Sequence, residues 1–293
     1  MPNLYSTRRG FIRNSSLAIG ASFITGTSLQ GLFSDSKDRY QIGACDWSIN
    51  NTSNLGSMEM ASMIGLDGVQ VSLGLVENDM HLRRPEVQKA YKELAKIFNV
   101  KFTGLAIGEL NNIPYKSDPR TDQWVHDSID VAKKIGVQVV LLAFFSKNDL
   151  KNDPTGTEII IKKLKQVCPH AEKMGITLGI ESWLSAEEHM YIIDQVQSPN
   201  LKVYYDVANS EKMGYHIYKE IRWLGSKNMI CEFHFKENGF LLGNGKVDFR
   251  EVKKCMEDIN YKGNIQIEGA VPDGSTMLPS YKLNNQFVRS LLA

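Results

Sequence analysis

Four residues in this chain could do chemistry together: Glu181, Asp206, His234 and Glu268. Each closes a short run in which apolar residues alternate with others. In "ITLGIES" the apolar set is Ile176, Leu178 and Ile180, opposite Thr177, Gly179 and Glu181. In "LKVYYDVAN" Asp206 shares a face with Tyr204, against Val203, Tyr205 and Val207. In "MICEFHFKEN" Cys231, Phe233 and Phe235 alternate with Glu232, His234 and Lys236, and in "NIQIEGA" Ile265 and Ile267 alternate with Gln266 and Glu268. A strand turns successive side chains to opposite faces, so four consecutive strands each end with one titratable group on the less apolar face. A lone strand-end carboxylate is more often a salt-bridge or loop residue. Three converging on one place repel each other and raise one another's pKa unless a cation neutralises them. Three oxygen donors and one imidazole suit a hard or borderline divalent ion, Mn²⁺ first, then Mg²⁺, Co²⁺ or Zn²⁺.

These four runs belong to a longer rhythm. Upstream lie "YQIGACDWS", "LDGVQVSLG", "KFTGLAIGEL" and "VQVVLLAFF", which makes eight runs from Tyr40 onward. Amphipathic stretches separate them. Pro85 opens "PEVQKAYKELAKIFN" at a favoured first helical position, Ser185 and Glu188 have capping-box spacing, and "FREVKKCMEDIN" follows the seventh run. Eight strand–helix units predict a single-domain (β/α)₈ TIM barrel over residues 39–293. A doubly wound sheet is disfavoured, because no G-x-G-x-x-G follows the first strand. In a barrel the second face of each strand points along the axis. Glu232, His234 and Lys236 then point inward, and all three are expected near the mouth, where ligand, metal or water can satisfy them.

The motifs "GIES", "YYDVAN", "FHFKE", "LGNGKVDF" and "IQIEG" together resemble the sugar phosphate isomerase/epimerase family, the xylose isomerase-like barrels. The resemblance implies one divalent metal held by Glu181, Asp206, His234 and Glu268, with Glu181 and Glu268 also acting as an acid/base pair. Two positions depart from the ketose 3-epimerase branch. Asn209 stands where that branch often has His, and Lys236-Glu237-Asn238-Gly239-Phe240 lacks an Arg found shortly after the His motif. Asn209 can still hydrogen-bond a sugar hydroxyl, and Lys236 is a second candidate substrate contact. Both departures bear on which sugar is bound. Exported relatives in this family include enzymes of 3-keto sugars and glycosides.

Trp47 and Trp183, at strand ends, could each stack on a sugar ring or pack in the core. Glu109, with Asn111 and Asn112, follows the third strand as a sugar contact or as ordinary turn residues. Gly243-Asn244-Gly245 reads as a tight turn. His81 reads as a surface-loop residue, and His126, His170, His189 and His216 as helix-surface residues.

The N-terminus stands apart. Thr7-Arg8-Arg9-Gly10-Phe11-Ile12-Arg13, followed by an uncharged Ala/Gly/Ile-rich stretch, resembles a twin-arginine export signal. Residues 1–38 are read as signal peptide and linker, and the protein as exported or periplasmic. No A-x-A site is evident, so the segment is cut at an atypical site or kept as a membrane anchor. Export brings an oxidising compartment, yet no C-x-x-C occurs among the four cysteines, and Cys45 and Cys231 fall on non-adjacent strands. Buried free thiols are expected.

The balance of 34 Lys and Arg against 33 Asp and Glu disfavours a nucleic-acid partner. A small carbohydrate is the expected partner, and a homo-oligomer is compatible with the sequence. The expected function is a metal-dependent sugar isomerase or epimerase, acting by proton transfer next to a carbonyl on a free or 3-keto sugar. The alternatives are a lyase or dehydratase using the same metal site, an apurinic endonuclease-like phosphodiesterase, and a sugar-binding barrel without catalysis. Six histidines, one at an inward strand end, are few for the multi-metal phosphodiesterase site.

Overall fold

The computed structural model of this chain describes residues 40–293. The export-signal reading on residues 7–13 lies outside them. The described strands are β1 (Ile42–Cys45), β2 (Gly68–Ser72), β3 (Lys101–Ile107), β4 (Val139–Phe144), β5 (Thr177–Ser182), β6 (Leu201–Asp206), β7 (Ile230–Glu237) and β8 (Ile265–Gly269). They pair in sequence order, all parallel, and β8 closes onto β1. The (β/α)₈ expectation is met.

Helices α1 (Ser57–Ile64), α2 (Pro85–Phe98), α3 (Arg120–Ile135), α4 (Pro154–Met174) and α5 (Ala186–Val196) each bridge one pair of strands. The β6–β7 crossover carries two, α6 (Val207–Lys212) and α7 (Ile217–Ser226); α8 (Phe249–Asp258) precedes β8 and α9 (Met277–Leu292) ends the chain. Pro85 is the first residue of α2. Ser185 and Glu188 make the reciprocal capping box of α5, satisfying amide donors that the first helical turn leaves free. Among the described residues, no helix is long and apolar enough to cross a membrane.

The core has two layers. Leu178, Ile180, Val203, Phe233, Phe235, Ile265 and Ile267 pack between strands and helices, as their alternation requires. Inside the barrel, Ala106, Val139, Leu141, Ala143 and Tyr204 form a separate cluster.

Two expectations about β7 are corrected. Glu232 lies deep in the barrel, away from the mouth, and is satisfied there by protein: it accepts from Tyr204 Oη at 3.0 Å and Asn264 Nδ2 at 3.1 Å. Cys231 breaks the alternation. The β6–β7 register shifts by one residue, pairing Val203 with Ile230 but Tyr204 with Glu232. The extra residue of this bulge packs against the interior cluster rather than beneath the helices, and is only partly buried. All four cysteines are free, the other three buried as expected.

Candidate functional site

Parallel barrel strands end at one rim, so the last inward residues of β5 to β8 meet. Glu181 Oε1 lies 2.9 Å from His234 Nδ1, Glu268 Oε2 3.5 Å from it, and Asp206 Oδ2 3.9 Å. The four ligand atoms lie within 4.8 Å of one another. Glu181, Asp206 and His234 are buried, and Glu268 nearly so.

Each group is aimed by its strand end. Asp206 is also the N-cap of α6, with Oδ1 accepting from the Ala208 and Asn209 amides at 2.9 and 2.8 Å. That leaves Oδ2 facing the cluster, buried and without a hydrogen bond among the described residues. Glu268 is held at both oxygens, Oε1 by Trp47 Nε1–H and Oε2 by Lys236 Nζ, each at 2.8 Å.

His234 is oriented from below. Tyr204 Oη–H donates to Glu232, so the Tyr204 oxygen accepts from Gln70 Nε2 at 3.0 Å. Gln70 then presents Oε1 to His234 Nε2, also at 3.0 Å. An amide oxygen can only accept, so Nε2 carries hydrogen and Nδ1 turns to the carboxylates. Ordered this way, an imidazole offers the Nδ1 lone pair to a cation, the usual support for a metal-binding histidine.

The electrostatics suit such an ion. With Asp206 ionised and His234 neutral, the states a bound cation would favour, three carboxylates face one ammonium and leave two negative charges for a divalent ion to neutralise. Burial raises Asp206 to about 7; Glu268 and Glu181 add to the rise, while Lys236 and His234 oppose it. At Glu268 burial acts upward too, but Lys236 and His234 outweigh it and hold the carboxyl below the usual range. Burial disfavours the His234 imidazolium, yet the Glu181 and Glu268 carboxylates raise its pKa. Cys45 remains a thiol, pushed up to about 12 by burial. The donor set, the unbonded Asp206 oxygen and the charge excess fit one hard or borderline divalent ion.

Above the cluster opens a cavity of about 330 Å³, lined by Glu181, Glu268, Lys236, Asn209, Trp47 and Trp183 among others. Glu109 and Asn111 line it too, whereas Asn112 does not. Asn111 is also a structural tie, its Oδ1 accepting from the Phe145 amide at 3.0 Å, and Asn112 is exposed. Trp183 meets Phe145 edge-on at 4.9 Å between ring centres.

Other sequence readings change. His189 is buried between Ser182 Oγ and the Ser185 carbonyl, each at 2.9 Å, not on the surface, and burial lowers it to about 4. His81 is half-buried, 3.0 Å from Ser53 Oγ and edge-on to Tyr91. Gly245 packs so closely on Glu237 that a Cβ would collide with its carboxylate. Glu237 accepts from the Val247 amide at 3.0 Å, so the Gly-Asn-Gly turn anchors the β7–α8 loop. Sequence reading missed Gln70, Glu237 and Asp46. Asp46 is fully buried and binds the Ser72 amide and hydroxyl and the Ser53 amide. Asp46 follows β1 directly, a strand-end position that was a signal for it; Gln70 sits mid-strand and carried none.

Residues 58–285 match the family model described as the xylose isomerase-like TIM barrel. The chain belongs to this family. Two curated relatives resemble parts of it. A 2-epi-5-epi-valiolone 7-phosphate 2-epimerase of Actinoplanes sp. is 23% identical over 175 residues, 59% of this chain and 64% of that protein. A D-psicose 3-epimerase of Enterocloster bolteae is 24% identical over 152 residues, 48% of this chain and 50% of that protein. The chain thus spans between half and just under two thirds of these relatives. The D-psicose 3-epimerase of Clostridium cellulolyticum H10, solved with D-tagatose, superposes with a TM-score of 0.70 at 18% identity, covering 86% of this chain and 99% of that one. At that identity the likeness speaks to the fold.

Proposed function

We propose that this xylose isomerase-like barrel is a divalent-cation-dependent sugar epimerase or isomerase that moves a proton at a carbon next to a carbonyl. The observation that carries the reading is Glu181 and Glu268 facing one cavity, with Asp206 and His234 between them. The names of both curated relatives support it, since each is an epimerase.

Glu181, Asp206, His234 and Glu268 would hold the ion, Mn²⁺ before Mg²⁺, Co²⁺ or Zn²⁺. When bound, a divalent ion supplies Lewis-acid stabilisation of the negative charge that develops on oxygen. The protein's own groups move the proton. One of Glu181 and Glu268 removes it from one face of the bound carbon, and the other returns a proton to the opposite face, which inverts the centre. Trp47 and Lys236 hold Glu268 at both oxygens and so limit its motion. Asn209, buried at the cavity wall, can hydrogen-bond a hydroxyl, and Trp47 and Trp183 offer aromatic faces to a sugar ring. Among the described lining residues, Lys236 is the one Lys or Arg, and it is already committed to Glu268. That favours an unphosphorylated sugar, free or 3-keto. The arginine pair at Arg8 and Arg9 supports an exported enzyme.

The test is proton NMR of the purified protein with Mn²⁺ in deuterated water, across a panel of free and 3-keto sugars. Deuterium should appear at the reacting carbon of recovered product. Turnover without incorporation would point to a hydride shift and leave the two-Glu mechanism without support.

A further inference from the structure

A second group of metal-ligating side chains sits on the outer wall of the barrel, on α3 and α4. His126 and Asp130 are four residues apart on α3, one above the other on one helix face. His170 reaches the same spot from α4, its Nε2 3.0 Å from Asp130 Oδ1. The two imidazoles lie face to face, 4.3 Å between centres and 3° from parallel. One nitrogen from each ring and one Asp130 oxygen lie within 4.8 Å of one another.

We propose that His126, Asp130 and His170 form a second metal site, for a zinc-class divalent ion held by three protein ligands and water. The donor chemistry separates it from the barrel mouth. Two imidazoles and one carboxylate suit a borderline ion such as Zn²⁺, whereas the mouth offers three carboxylates and one imidazole to a harder one. The site is half-formed: the stacked rings aim their in-plane lone pairs side by side, so the His126 ring must turn out of the stack for both to meet one ion. In a tetrahedral shell with zinc–ligand bonds of about 2.1 Å, neighbouring donor atoms stand roughly 3.4 Å apart. The Asp130–His170 pair is already that close. His126 is half-exposed, which leaves its ring room to turn. The three groups are partly open to solvent, so water can complete the shell. Asp127, 3.7 Å from His126 Nδ1, adds negative charge, although Arg83 and Gln123 already engage it. A bound ion would tie α3 to α4, alongside the Lys163–Asp122 pair that links them at 2.7 Å.

The test is zinc titration of the tag-free full chain, read by competition with a chromophoric chelator and by thermal denaturation. The parent should bind one equivalent more than the His126→Ala/His170→Ala variant, and zinc should raise the parent's melting temperature more. A His234→Ala variant, altered only at the barrel mouth, should keep this equivalent, so failure of the mouth site and failure of this one read differently. Equal zinc stoichiometry in the parent and the double variant overturns the proposal. So does an extra equivalent that binds with unchanged affinity when Asp130→Asn is made alone in the parent.

Discussion

Replacing Gln70 by Leu tests how the barrel interior supports the site. Leu fills similar space but removes the acceptor of His234 Nε2–H and the donor to Tyr204. Gln70 and His234 are both fully buried, so water cannot replace the lost partner. The Cys45 sulfur, 3.3 Å from Nε2, remains as a weak acceptor, and a buried donor that loses its strong partner costs about 1–3 kcal/mol. In a domain of this size each kcal/mol lowers the melting temperature by roughly 2–4 °C, so the ion-free variant should melt about 2–12 °C below the parent. The His234 ring also loses the contact that holds Nδ1 toward the carboxylates. Loss of such a supporting contact weakens metal binding about 10–100-fold, or roughly 1.4–2.7 kcal/mol. Differential scanning calorimetry after EDTA treatment measures the first effect, and Mn²⁺ titration followed by electron paramagnetic resonance the second. A variant that melts lower yet binds Mn²⁺ within twofold of the parent would refute the reasoning, leaving Gln70 a packing residue.

Glu181→Gln and Glu268→Gln should each keep the fold, weaken ion binding and abolish sugar turnover, as circular dichroism and the NMR assay would report; activity retained in either breaks the acid/base pair. Lys236→Met removes the ammonium that holds Glu268 ionised, so the melting temperature should depend more on added Mn²⁺ than the parent's does; an unchanged dependence counts against that role. His189 is lowered from 6.5 to about 4 by burial. The folded chain therefore keeps it neutral while the unfolded chain protonates. Its stabilisation is complete above about pH 6.5 and lost as pH falls toward 4. His189→Gln should accordingly lose less stability than the parent between those values in denaturant melts, and parallel losses would contradict the shift. Lys at both Arg8 and Arg9 should trap the precursor in the cytoplasm, and normal export in cell fractionation would remove the twin-arginine reading.

The alternation of apolar residues was enough to place the eight strands and to bring Glu181, Asp206, His234 and Glu268 to one rim. Both follow from local rules: side chains alternate along a strand, and parallel strands in a closed barrel share one end. Three features needed tertiary structure. Cys231 changes sides because a bulge between β6 and β7 inserts one residue, and the pattern of β7 alone does not reveal its partner's register. Glu232 and Gln70 find partners on β6, at Tyr204, and before β8, at Asn264, so their roles exist only once the barrel closes. His189 and His126 both look like helix-surface histidines in sequence. One is buried against Ser182 and the other meets His170 across two helices, because burial and pairing depend on which face each helix turns to its neighbour. Sequence determined which titratable groups meet at the rim. Packing between segments distant in the chain decided how each is held, since no local pattern encodes a contact made across the barrel.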